Sequence, residues 1–135
     1  MLELAFRNSP NPVGLKDIAK SQAMSERYLE RIMGNLVSAG LVHSLRGQHG
    51  GFVLARPADD IRISQIVTAV EGPLAPVACV TNPQTCTRSK HCAARDVWIK
   101  LKESIASALD GFTLEDLARL HAEKQIPSDN EMYYI

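Results

Sequence analysis

No apolar run in these 135 residues approaches the roughly 20 needed to cross a bilayer as a helix. The N-terminus has neither the charged nor the apolar region of a secretory signal, so a cytoplasmic protein is expected. A Gly-rich phosphate loop opening a helix is absent, as is a Ser, His and Asp constellation, which argues against an enzyme. Net charge is lacking as well, since 15 Lys and Arg balance 15 Asp and Glu. Cysteine is missing everywhere except at Cys79, Cys86 and Cys92, which fall within 14 residues. In a reducing compartment such a cluster points to a metal or redox site more than to a disulfide framework.

What is present fits one compact core with an appended element, because two large cores need a longer chain. The charges are segregated. Residues 1–56 hold seven basic side chains against four acidic ones, a net +3, and the remainder carries −3. A polyanion would be drawn to the first part, although ordinary surface charge explains so small a difference equally well.

Four stretches have helical spacing in the first 71 residues. Met1 to Arg7 starts on apolar residues with no Ser, Thr, Asp or Asn before it, as a truncated helix would. After a turn at 8–14, Leu15 to Gln22 places Leu15, Ile18 and Ala19 on one face. Ala23 and Met24 make a brief turn, and Ser25 caps a helix in which Tyr28, Leu29, Ile32, Met33, Leu36 and Val37 repeat up to the stop at Gly40. Ile63 to Glu71 is a further helix, with Ser64 or the acids before it as the expected cap. Between the last two, short strand-like runs at 41–45 and 52–55 flank Arg46 to Gly51, whose glycines suit a hairpin tip.

Helix, tight turn, polar helix and Gly-rich hairpin make a winged helix-turn-helix, which seats its second helix in the major groove of double-stranded DNA. Ser25, Arg27, Tyr28, Glu30 and Arg31 occupy the first two turns of that helix: Arg suits guanine acceptors, Ser and Tyr phosphate or bases, Glu the cytosine amine. Arg46 at the wing tip suits a neighbouring minor groove, and Gly47, Gly50 and Gly51 permit close backbone approach. A small helical domain whose hairpin merely packs is the plainer alternative.

Residues 72–92 contain three prolines, all the cysteines and no sustained period, so irregular chain is expected there, mobile without a ligand. From Ala93 to Leu109 the apolar residues Val97, Leu101, Ile105 and Leu109 recur every four positions, and by period alone the stripe suits an intrachain core. Thr113 to Asp116 resembles a capping box opening a last helix to about Ala122. The expected fold class is mainly α with a small β-wing. Its units are 1–71 for DNA binding, 72–92 as a sensor loop, 93–122 for a long helix and a C-terminal helix, and 123–135 as a tail.

The segments Ser25 to Glu30, Ala39 to Val42, Leu45 to Gly47, Gly50 to Pro57 and Glu71 to Pro73 resemble the Rrf-type bacterial winged-helix regulators over nearly the whole chain. A short basic segment that precedes the first helix in that family is lacking here. The resemblance implies a homodimer joined through the helix at 93–109, with two wings reaching a palindromic operator.

Three thiolates on one loop suit an iron–sulfur cluster or zinc, and the spacing does not match paired Cys-x-x-Cys zinc ribbons. Zinc, thiol redox sensing and no metal at all stay open on chemistry alone. The loop resembles that of the cluster-binding family members, which implies an iron–sulfur cluster, 2Fe-2S or 4Fe-4S, on Cys79, Cys86 and Cys92. In such members a histidine three residues after the third cysteine completes the ligand set. The matching position here is Arg95, which leaves His91 and Asp96 as candidate fourth ligands, although His91 also suits an exposed loop. The ending at Tyr134 and Ile135 resembles that of a family member that partners cysteine synthase, which implies a docking tail and a repressor of sulfur metabolism without a cluster; the alternative is a tail packed on its own dimer.

Overall fold

A computed structural model describes residues 1–7 and 10–125. It is mainly helical with a two-stranded antiparallel sheet, as expected. Among the described residues seven α-helices run in the order α1 (Leu2–Arg7), α2 (Leu15–Ser21), α3 (Glu26–Ser38), α4 (Ile63–Glu71), α5 (Ala78–Thr81), α6 (Ala93–Asp110) and α7 (Leu114–Gln125). The strands β1 (Val42–Leu45) and β2 (Gly51–Leu54) lie between α3 and α4.

The helix-turn-helix closes as its residues dictate. Ile18 and Ala19 are the buried positions of α2, and the Met24 amide donates back to the Ala19 carbonyl at 2.9 Å, turning the chain sharply into α3. Ala23 takes a left-handed φ of 50° in this turn, a conformation that costs a residue with a Cβ about 1–2 kcal/mol. Ser25 caps α3, its hydroxyl accepting from the Tyr28 amide at 3.3 Å, and Leu29, Met33 and Leu36 form the buried stripe. At the other end Gly40 (φ 68°) lets its own amide donate to the Val37 carbonyl and that of Leu41 to the Leu36 carbonyl, both at 3.0 Å. This paired closure drives Leu41 into the core and starts the wing.

The wing pairs Val42 with Leu54 and Leu45 with Gly51. It is anchored by a third segment: Val13 and Phe52 exchange two backbone hydrogen bonds, of 3.0 and 2.9 Å, just before α2 begins. Turn geometry is expected at 8–14 from the sequence, yet Val13 serves as a one-residue strand.

Several expectations change on packing. Ser64 does not cap α4; its hydroxyl bonds the Asp110 carboxylate, and the Gln65 side chain accepts from the Arg62 amide at 3.0 Å instead. Residues 72–91 are not wholly irregular, since α5 and a 3-10 turn at Pro83–Thr85 shape them. The helix expected to stop at Ala122 continues to Gln125, so 123–125 belong to α7 and not to a tail. Its start is a reciprocal capping box: Thr113 donates to the Asp116 carboxylate from its amide (3.0 Å) and hydroxyl (2.9 Å), and the Asp116 amide donates to the Thr113 hydroxyl (3.1 Å). The Thr113 backbone hydrogen bond, first among these contacts, holds the Asp116 carboxyl below its ordinary range.

The core joins Leu4, Val13, Ile18, Leu29, Met33, Leu36, Leu41, Val42 and Ile61 to Leu114 from α7. The C-terminal helix therefore packs chiefly with residues 1–71 rather than with α6, its neighbour in chain order. No residue of α6 is buried, although its sequence suits an intrachain core. Val97 is 64% exposed and Leu101 41%, because α4 and α5 flank this helix and leave the first half of its apolar stripe facing outward, whereas Ile105 and Leu109 are half-buried.

Candidate nucleic-acid interface

The predicted reading residues divide between two sides of α3. Ser25, Arg27, Tyr28 and Arg31 line one cleft of about 400 Å³. All four are exposed to solvent, and the Arg31 guanidinium lies 5.3 Å from the centroid of the Tyr28 ring, a cation–π contact that limits where the arginine points. Glu30 is not among them. With Glu26 and Asp17 it lines a second cleft of about 820 Å³ between α3, the start of α2 and the wing residues Gln48, His49 and Gly50. One edge of the helix is thus cationic and aromatic, whereas the wing-side edge is acidic. Asp17, Gln48 and His49 escaped the sequence argument because only folding brings the wing tip beside α2.

At the wing, Arg46 is exposed next to Gly47. The Gly50 amide donates to the Gly47 carbonyl at 2.9 Å, and a Cβ on Gly50 would lie 2.5 Å from the Leu45 carbonyl oxygen. At Gly51 a Cβ would lie 2.4 Å from the Val13 oxygen, where the wing docks on the helix-turn-helix. Backbone on both sides cannot yield cheaply. Gly51→Ala is therefore expected to lower stability by about 1–3 kcal/mol in thermal denaturation. Gly34→Ala is the control, because nothing lies within 4 Å of its Cβ and alanine favours the exposed helix by up to about 1 kcal/mol. An unchanged melting temperature for Gly51→Ala would remove the docking contact from the account.

The cysteines lie on the segment that joins α4 to α6. Cys79 is in α5, Cys86 follows the 3-10 turn, and Cys92 is the N-cap residue of α6; each is free and half-buried. Among the described residues no three of His, Cys, Asp and Glu are gathered closely enough to hold a metal ion. His91 and Asp96 are both exposed and do not join the cysteines in such a group. The donor chemistry suits a thiophilic centre nonetheless: three free thiols, partly withdrawn from water, on one short stretch. Arg95 donates from Nε to the Cys79 carbonyl at 3.1 Å. Sequence reasoning has no signal for this contact, which spans 16 positions. Tyr134 and Ile135 lie outside the described residues. Among the described residues no helix is long and apolar enough to cross a membrane.

Known proteins share this arrangement. The Rrf2 family, described as an iron-dependent transcriptional regulator, matches residues 1–120. CymR, an HTH-type transcriptional regulator of Bacillus subtilis, is 37% identical over 135 residues, covering 100% of this chain and 91% of that protein. The solved structure of CymR from B. subtilis, described as the global cysteine regulator, superposes with a TM-score of 0.68 at 38% identity, over 88% of this chain and 87% of that one. The structure of IscR from T. potens gives a TM-score of 0.74 at 37% identity, over 98% and 87%. These relatives are named as regulators and not as enzymes. With its helix-turn-helix, wing and cationic cleft, the chain belongs to the Rrf2 family of DNA-binding transcription regulators.

Proposed function

We propose that the protein works in the cytoplasm as a homodimer that reads a palindromic operator and takes its signal through an iron–sulfur site on Cys79, Cys86 and Cys92. The observation that carries this is the placement of α6. At its first turn Arg95 holds the Cys79 carbonyl, and at its last residue Asp110 bonds Ser64 while its carbonyl accepts from Arg62 at 3.3 Å. One helix of 18 residues, about 27 Å long, thus runs from the cysteines to the reading head.

Within that dimer Ser25, Arg27, Tyr28 and Arg31 enter the major groove, Glu30 faces the wing side, and Arg46 with Gly47, Gly50 and Gly51 approaches the flanking minor groove. The outward stripe of Val97 and Leu101 is the natural contact between two copies, and two-fold symmetry doubles the modest positive charge offered to DNA. A bound cluster would be held by Cys79, Cys86 and Cys92 and would supply a centre sensitive to oxidants and nitric oxide. The chain's own part is mechanical. Ordering residues 72–92 fixes the start of α6, and the Ser64 and Arg62 contacts pass its position to the head, biasing the spacing of the two reading helices.

Anaerobic reconstitution is expected to give visible cluster absorption that disappears in C79S/C86S/C92S, and operator DNA selected with the wild type should bind loaded and metal-free protein differently. No absorption, together with unchanged DNA binding by the triple variant, would sink the sensor. A second function is favoured by one observation: the match to CymR covers the entire chain, including 126–135. On it the protein represses sulfur metabolism without a cluster, controlled by cysteine synthase docked on Tyr134 and Ile135. Loss of cysteine synthase binding on deleting Ile135 would support it, and equal binding would remove it.

A further inference from the structure

One residue is hydrogen-bonded to the backbones of two cysteines. Arg95 donates from its amide to the Cys92 carbonyl at 3.0 Å and from its Nε to the Cys79 carbonyl at 3.1 Å. The first bond is ordinary helix geometry. The second is not, because it reaches back across the whole cysteine segment to α5. The bond is partly buried, and no carboxylate pairs with Arg95 among the described residues. From Gly72 to Arg95 the sequence contains no Asp or Glu at all, so no acid within that segment competes for the guanidinium. A charged donor on a neutral carbonyl in that setting makes a stronger bond than a neutral pair would.

Cys86 is held differently. Its amide donates to the Pro83 carbonyl at 3.4 Å and its carbonyl accepts from the Ser89 amide at 3.2 Å, both within one local turn. Cys79 and Cys92 are therefore fixed at the two ends of an excursion, with Cys86 carried upon it.

Building on the cysteine site proposed above, we infer that Arg95 is its positioning residue: by tying the Cys79 carbonyl to the first turn of α6 it holds the backbones of two of the three cysteines to one another before a metal arrives. Arg95 is no ligand, since a guanidinium offers five donors and no acceptor. It sets the entropy of closing the site, because a loop already closed at its base loses less freedom when Cys86 joins. The ligand class is a thiophilic centre, either an iron–sulfur cluster or a divalent ion of tetrahedral preference.

The test uses the full reduced chain, titrated anaerobically with Co²⁺ and read by thiolate-to-cobalt charge-transfer absorption. Arg95→Met keeps the aliphatic stem and removes the donors, and Arg95→Lys returns one donor group. Relative to wild type, Arg95→Met is expected to weaken Co²⁺ binding about 10- to 100-fold, the usual cost of removing an outer support from a metal site. Arg95→Lys should recover part of that affinity, with both variants giving native circular dichroism. If Arg95→Met binds Co²⁺ as tightly as wild type, or melts earlier with unchanged cobalt affinity, Arg95 is a structural residue only and the inference fails. Absence of any thiolate–cobalt band in wild type overturns the cysteine site itself, and the two failures are told apart by that first titration. Should Arg95→Met not fold, Arg95→Lys is compared with wild type, with faster amide exchange at Val80 to Asn82 reporting that its hydrogen bond to Cys79 is broken. Equal affinity and an unshifted band in that variant overturn the positioning role, and weaker binding upholds it.

Discussion

Replacing Arg27 and Arg31 together with alanine is expected to weaken operator binding about a hundredfold or more, the largest functional loss open to any pair of side chains on α3. Both are exposed and line the same cleft with Ser25 and Tyr28. Four positions apart on a helix, they sit one above the other and reach adjacent parts of a groove. An arginine that contacts a base edge contributes about 1–3 kcal/mol, so the low end for two residues is a loss of about thirtyfold for one half-site and of roughly several hundredfold where a dimer engages both. Folding should be untouched, because neither side chain enters the core and the Ser25 cap remains. Salt dependence sorts the roles. Each phosphate contact removed flattens the slope of log affinity against log salt by about 0.9, whereas removing a base contact relaxes sequence preference with little change of slope. Electrophoretic mobility shifts at several salt concentrations measure both. Wild-type affinity and slope in the double variant would place the reading surface elsewhere, and the acidic cleft beside the wing would be the next face to test.

Local chemistry made most of the reading head legible. Ser25 and Gly40 bound α3 in the sequence and in the structure because caps act within a turn of themselves, and the hairpin follows from its glycines. The sequence has no equivalent signal for contacts that close over distance. Val13 pairs with Phe52, Gln48 and His49 share a cleft with Glu26 and Glu30, and Arg95 reaches Cys79; none of these has a period or a spacing that announces it. The stripe of α6 shows a different limit. Repetition every four residues specifies an apolar face but not what covers it, and here the chain half-buries Ile105 and Leu109 but leaves Val97 more than half exposed. The cysteines are conspicuous by type, yet Cys79 is tied to α6 by an arginine that the sequence marks only as unfit to be a ligand.

Leu114→Ala should be the most destabilising of the single changes considered, by about 2–5 kcal/mol, lowering the melting temperature roughly 8–20 °C. Leu114 and Ile61 are both 0% exposed, and both belong to the core where α7 joins the winged helix. Two backbone hydrogen bonds lock the same place, from the Leu114 amide to the Ile61 carbonyl at 2.8 Å and from the Ile63 amide to the Phe112 carbonyl at 3.0 Å. Truncation leaves those bonds without the side chain that excludes water from them. The elbow between α6 and α7 is also the joint through which, on the proposed mechanism, a shift of α6 reaches the head, with the Asp110 contacts to Ser64 and Arg62 immediately beside it. A softened joint transmits less. At a temperature where the variant remains folded, its operator affinity should stay near wild type, since the exposed reading face of α3 and the wing tip lie outside the core that Leu114 fills, while the difference between metal-loaded and metal-free protein shrinks. Calorimetry and DNA binding in the two states separate these effects. A variant that melts early yet keeps the full difference between states would mean that coupling bypasses the elbow and runs through the proposed contact between the α6 helices of two subunits.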